Sequence, residues 1–269
     1  MLCRKVGMSR QNFYKARKQR LHQQVDAELV AALVKEQRAA QPRLGGRKLF
    51  HLLKPELNMA EVRVGRDRFF DILRGQGLLL EALPKAPYTT NSRHSLAVFS
   101  NLIAALPITA PNQVWVSDIT YIRSGDSFVY LSLITDKYSR KIVGHHVADT
   151  LGAEGCLQAL QMALANKPEG SHPIHHSDRG CQYCSRVYVD TLREHGLGIS
   201  MTEENHCAEN AMAERMNGIL KQEYWLGGTF RNKELVPPAV AEAIRLYNTR
   251  RPHQALKYKT PQEVHAQAA

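Results

Sequence analysis

With 269 residues, 43% of them hydrophobic, the chain has room for one large domain and one or two small ones. Its longest apolar run, "AVFSNLIAALPI" (97–108), is too short and too interrupted to span a membrane. The net charge of +11 is segregated: residues 1–93 hold 19 Lys/Arg against 8 Asp/Glu, whereas residues 94–269 hold 17 of each. A basic third joined to a neutral remainder points to a polyanion-binding segment, with nucleic acid as the partner; the plainer alternative is a solvated basic surface.

In chain order, "VGMSRQNFYKARKQ" has a turn at Gly7, a Ser9 N-cap and then a basic helical run, like the second half of a helix-turn-helix. "DAELVAALVKEQRAA" (26–40) is an amphipathic helix with Leu29, Ala32, Leu33 and Glu36 at helical intervals. "RKLFHLLK" and "GRDRFFDILRGQG" add two short helices with basic outer faces, which makes residues 1–83 a small basic all-helical module. A polar, proline-containing linker covers 84–108. The period then changes. "QVWVSDITYI" (113–122), "SFVYLSLITD" (127–136) and "RKIVGHHVAD" (140–149) alternate as strands. Helix 154–167, a short strand ending at Asp178, helix 184–195, strand "LGISM", helix "ENAMAERMNGILKQEY" and a closing helix around "VAEAIRLYN" follow. This is an α/β pattern: a mixed sheet flanked by helices, with a core over 109–230 completed by 231–269.

Asp118 sits amid Val, Ile and Trp in a buried strand, where a lone carboxylate is expensive. Asp178 ends another strand, in "HHSDRGCQY". Glu214 lies on a helix whose Asn210, Glu214, Asn217 and Lys221 form one polar face, opposite Met212, Met216, Ile219 and Leu220. The polar face is expected to be exposed and the apolar one to pack on the sheet. Three carboxylates from two strands and a helix suit hard cations such as Mg²⁺, and paired ions clamp both oxygens of a phosphoryl displacement.

The spacing, with 59 residues between Asp118 and Asp178 and 35 between Asp178 and Glu214, resembles that of DDE transposases and retroviral integrases. The chain looks most like the second-frame (OrfB) transposase of the IS-three family of insertion sequences. "DKYSRKIVG" (136–144), "YNTRRPHQALKYKTPQE" (247–263) and the opening "LCRKVGMSRQNFYK" also match that family. The resemblance implies an RNase H-like core in which Asp118, Asp178 and Glu214 are catalytic and bind Mg²⁺ or Mn²⁺, two ions per site. It implies DNA cleavage at element ends and 3′-hydroxyl strand transfer. Lys221, Arg179, Asn217, Arg47 and Lys48 are expected DNA contacts; His176 and Asn210 are expected to support the carboxylates from behind. The partners implied are element-end and target DNA, further copies of the chain on DNA, and an upstream-frame (OrfA) protein or a fusion with it. The expected place is the bacterial cytoplasm, at the nucleoid. The family usually has Asp at the position of Glu209, and Tyr near Leu44 and Gly46.

Several rivals are set against this reading. Asp136 is expected to serve a turn, and Glu203, Glu204 and Glu209 to lie outside the site. The five cysteines, an odd and sparse set, fit a reducing compartment. Cys181-x-x-Cys184 with His206 and Cys207 is an awkward ligand set for zinc, and His172, His175 and His176 have no metal spacing. A non-catalytic DNA-binding regulator, an inactive copy, or a nuclease on the same fold are the alternative functions.

Overall fold

The computed structural model describes residues 7–81, 96–203 and 210–267. The chain divides into two compact units, residues 1–82 and 83–269.

Among the described residues, the first unit has three helices: α1 (Arg10–Ala40), α2 (Gly46–Met59) and α3 (Arg66–Gly75). Ser9 caps α1, its side chain accepting the Asn12 N–H at 3.1 Å. The basic run and the amphipathic stretch after it, expected as separate helices, form one continuous helix, because no Gly or Pro interrupts residues 10–40. Its buried residues are Val30, Ala31 and Val34 rather than the expected row, of which Ala32 and Glu36 are exposed and Leu29 and Leu33 only flank the core. Leu49, Leu53 and Leu57, spaced by four along α2, meet Phe69 and Leu73 of α3 and Val30 and Val34 of α1. Full burial stabilises by roughly 1.5–3 kcal/mol per such side chain. Arg38 fastens the chain ends of the bundle by donating to the Leu78 carbonyl at 2.7 Å and the Leu44 carbonyl at 3.3 Å.

The second unit carries one mixed sheet. Strands β1 (Val114–Ser124), β2 (Ser127–Asp136) and β3 (Ile142–Ala148) form an antiparallel meander. Helix α4 (Ala153–Ala165) leads to β4 (Ile174–Ser177), which pairs parallel to β1. Helix α5 (Arg186–Glu194) leads in turn to β5 (Gly198–Met201), parallel to β4. The strand order is therefore β3-β2-β1-β4-β5, with a short β6 (Thr229–Phe230) beside β1. This is the RNase H-like mixed sheet that the sequence implied. One face carries Trp115 and Ile134 against Cys156, Leu160, Tyr188 and Leu192 of α4 and α5. The other carries Val114 and Val116 against Ala213 of α6 (Ala211–Glu223) and Ile103. Residues 96–108, read from sequence as the end of a linker, lie against this unit: Ile103 is buried and the Leu102 N–H donates to Ser200 Oγ at 2.9 Å. The start of that expected linker falls outside the described residues. At Gly144 of β3, a Cβ would stand 2.2 Å from the Ala159 carbonyl of α4, so only glycine lets helix and strand approach this closely.

Helices α7 (Val236–Arg250) and α8 (Pro261–Gln267) close the unit. Tyr247 of α7 donates to the Arg140 carbonyl at 2.9 Å. The Asn248 amide accepts the Ile142 N–H and donates to the Ile142 carbonyl, both at 3.0 Å. Arg251 forks onto the two carboxylate oxygens of Glu223 at 2.8 Å each. The sequence signatures "DKYSRK" and "YNTRRPH" are thus bolted to each other and to the end of α6.

Candidate active site

Register brings the first two carboxylates together. In the parallel β1–β4 pair, Val116 stands opposite His176. Two residues further on come Asp118, on the Val116 face of β1, and Asp178, which follows the last residue of β4; the Asp178 charge acts on the Asp118 carboxyl, so the two lie near one another. That face is the one covered by α6, whose first turn contains Glu214.

Each side chain is held differently. Asp118 is half-buried; its Oδ1 accepts the Ile119 N–H at 2.9 Å and its Oδ2 accepts the Asn217 amide at 2.8 Å. Asp178 Oδ1 accepts the Gly180 N–H at 3.0 Å. A Cβ at Gly180 would come to 3.0 Å from that same oxygen, so the glycine gives the carboxylate its room. Glu214 is exposed.

The electrostatics link all three. Burial, then the Asp178 charge, push the Asp118 carboxyl up to about 7; the Ile119 and Asn217 donors oppose this and Glu214 adds to it. Glu214 is raised by loss of solvent and by Asp178. Burial lowers Lys221, while Asp118 pulls it the other way, so this ammonium lies within the field of the site. The set is not closed: among the described residues, no three His, Cys, Asp or Glu side chains stand close enough together to hold a metal ion. The donor chemistry nevertheless fits a hard divalent cation. The donors are carboxylate oxygens only, and mutual repulsion in a half-buried place calls for positive charge.

Asn217, expected on DNA, is buried with its amide on Asp118. Asn210 is also buried and donates to the Ser117 carbonyl at 3.2 Å. The polar face of α6 therefore turns partly inward onto β1, because Ser117 and Asp118 within that strand offer it acceptors. Arg179 donates through Nε to the Thr202 carbonyl at 2.6 Å. His176 lies 2.9 Å from Ser200 Oγ, wholly buried between β4 and β5. Arg47 is exposed and Lys48 half-buried in the first turn of α2, in the other unit.

A group that the sequence did not reveal lies behind β1. His175 Nε2 is 2.7 Å from Ser117 Oγ and 2.9 Å from Tyr188 OH. Burial and the neighbouring His176 hold His175 down to about 3, so it is neutral. Ser117, on the face of β1 opposite Asp118 and beside Trp115, was the available signal: a hydroxyl in a buried strand needs a partner. Asp136 has the turn role expected of it: its carboxylate accepts the N–H groups of Asn112 and Ser139, each at 2.7 Å, and the Ser139 hydroxyl. Cys181 is exposed and Cys184 buried, 3.7 Å from Met201 Sδ; His206, Cys207, Glu204 and Glu209 fall outside the described residues.

Residues 108–207 and 195–261 match integrase core domain families. The chain is 36% identical over 211 residues to an uncharacterised 31 kDa protein of insertion element IS600 from Shigella sonnei, covering 78% of each chain. It is 31% identical over 263 residues to transposase InsF of insertion sequence IS3A from Escherichia coli K12, covering 94% of this chain and 88% of that one. Among solved structures, the HTLV-2 integrase catalytic core domain in complex with magnesium aligns with 58% of this chain and 97% of its own at 19% identity, with a TM-score of 0.46.

Proposed function

Because the chain belongs to the IS3-type insertion-sequence transposases, proteins of DNA transposition with an integrase core, we propose that Asp118, Asp178 and Glu214 are the centre where DNA strands are cut and joined. The observation that carries this reading is the parallel β1–β4 pairing, with Asp118 two residues past its last pair on β1 and Asp178 two residues past it after β4. In the cut at an element end, water oxygen forms a bond to phosphorus as the P–O3′ bond breaks, leaving a 3′-hydroxyl and a 5′-phosphate. In the transfer, that hydroxyl oxygen attacks a target phosphodiester and the target's 3′ oxygen leaves. No bond to the protein forms in either step.

The residues divide this work by how firmly they are held. Asp118 and Asp178 are oriented by the Asn217 amide and by backbone N–H groups, so they form the fixed wall. Glu214, exposed at the start of α6, closes the set by turning its side chain inward. Two Mg²⁺ ions, replaceable by Mn²⁺ and held by these three carboxylates, would polarise the attacking oxygen and neutralise the leaving one. Lys221, two turns along α6 from Glu214, takes a phosphate oxygen of the bound strand, and Arg179 keeps the end of β4 in place through Thr202. Pairing two element ends calls for at least two copies of the chain, and an upstream-frame protein supplies end specificity.

The test uses branched DNA resembling a strand-transfer product, labelled and incubated with Mg²⁺ or Mn²⁺. We expect metal-dependent cleavage and rejoining that falls roughly a thousandfold or more in Glu214→Gln, while DNA binding persists. Activity that survives the substitution would remove Glu214 from the centre. Binding without chemistry in the unsubstituted chain would favour the regulator.

A further inference from the structure

Helix α1 outruns the bundle it belongs to. Its contacts with the apolar core begin at Ala27, and every residue from Arg10 to Val25 is exposed except half-buried Ala16. That free stretch measures about 24 Å at 1.5 Å per residue. It carries Arg10, Lys15, Arg17, Lys18 and Arg20 and not one Asp or Glu. It also exposes Phe13, Tyr14, Leu21 and Val25, large apolar groups that a solvated surface has no reason to hold out.

The two kinds of side chain share one side of the helix. Phe13, Arg17, Arg20 and Gln24 form one row and Tyr14, Lys18, Leu21 and Val25 the neighbouring one. The row that continues into the core is neutral: Asn12, Ala16, Gln19 and Gln23, then Ala27, Val30 and Val34. The Phe13 and Tyr14 rings stack edge to face, 5.6 Å apart.

We infer that residues 10–25 form a duplex-DNA-binding arm that lies in a groove, with Arg17, Lys18 and Arg20 on phosphates and Tyr14 and Leu21 against sugars and base edges. A major groove about 12 Å wide admits a bare helix, and phosphate contacts position it. A second copy of this chain is a poor occupant, because two such helices would set cation against cation with no carboxylate between them. A lipid surface would take a basic amphipathic helix too, but here cations interrupt both apolar rows. The choice of DNA as the polyanion rests on the transposase reading; the arm itself does not depend on the three carboxylates.

The experiment measures binding of the full chain to a labelled duplex of arbitrary sequence across a salt series, without divalent metal, so the outcome is independent of catalysis. Arg17→Gln/Lys18→Gln/Arg20→Gln should weaken binding at least about 30-fold at 150 mM salt and make the log–log salt slope shallower by about 3. Tyr14→Ala/Leu21→Ala should weaken binding several-fold with the slope unchanged. A control removing equal charge elsewhere in the same unit, Lys54→Gln/Arg63→Gln/Arg74→Gln, should change it less than about threefold. Equal losses in arm and control variants would reduce the effect to net charge and overturn the proposal. So would binding to anionic phosphatidylserine vesicles in preference to the duplex, or a dimer in sedimentation that Leu21→Arg dissolves.

Discussion

In the first unit, Gln41 is the one buried polar side chain among the described residues, set beside a core of Val, Leu, Ile and Phe. The second unit, with 19 Lys/Arg against 17 Asp/Glu, buries Ser117, Asp136, His175, His176, Asn210, Asn217, Asn248 and Arg251, among others. The basic unit keeps most of its charge outside and is held chiefly by apolar spacing, with half-buried Arg38 as its one long-range clasp among the hydrogen bonds described above. The sheet unit takes polar groups inside and must partner them. A core of the first kind is specified loosely, by volume and pattern. A core of the second kind is specified residue by residue, since a buried donor or charge that loses its partner becomes a liability. The candidate chemistry sits in the second kind, where half-buried Asp118 is held by named donors.

The difference can be broken most directly at Arg251. Its fork onto Glu223 is nearly sealed from solvent, so Arg251→Ala should destabilise the second unit by about 3–5 kcal/mol. Arg251→Met with Glu223→Leu should restore most of that. Both tryptophans, Trp115 and Trp225, belong to this unit, so their fluorescence during denaturant unfolding reports it separately. If Arg251→Ala alone proves harmless, the contrast between the units is wrong.

The converse prediction concerns Leu53, fully buried in α2. Leu53→Ala should cost about 2–5 kcal/mol but Leu53→Met under about 1.5 kcal/mol, read as loss of helical signal with the tryptophan transition unmoved. A Met substitution as damaging as Ala would mean that the helical unit is as exacting as the sheet unit.

The smallest effect sharpens the comparison through pH. The folded protein holds His175 down to about 3, whereas the unfolded chain titrates near 6.5. Below about pH 6.5 the unfolded chain takes up a proton that the folded one refuses, so stability falls with pH until about pH 3. The expected slope approaches 1.4 kcal/mol per pH unit. His175→Phe should flatten it in tryptophan-detected unfolding, and an unchanged slope would show that His175 does not carry it.

Much of this architecture was legible in the sequence, and the gaps have physical causes. The three strands of the meander, the helices between the later strands and the polar stripe of α6 follow from period alone. The stripe's direction did not: Asn217 turns inward because Asp118, 99 residues away, waits for its amide, and no local pattern carries that information. The same holds for Asn248 on Ile142, 106 residues apart, and for His175 beneath Ser117. In α1 the periodicity points to a row a residue or two out of phase with the buried one, because "LVAALV" is apolar nearly all round and leaves two rows equally good. The sequence does set the basic run apart from the amphipathic stretch 26–40; what it hides is that one unbroken helix joins the free half to the packed half, since helix formers fill both.

One contact bears on solubility. Strand β3 is the last of the sheet on its side, and such an edge offers unpaired backbone groups to any passing strand. Asn248 occupies both hydrogen-bonding groups of Ile142, so a single side chain stands in for a further ladder partner at the point where the strand begins. Helix α7, which bears it, is a guard rail against edge-to-edge aggregation, as well as the bolt that holds the sheet to α6.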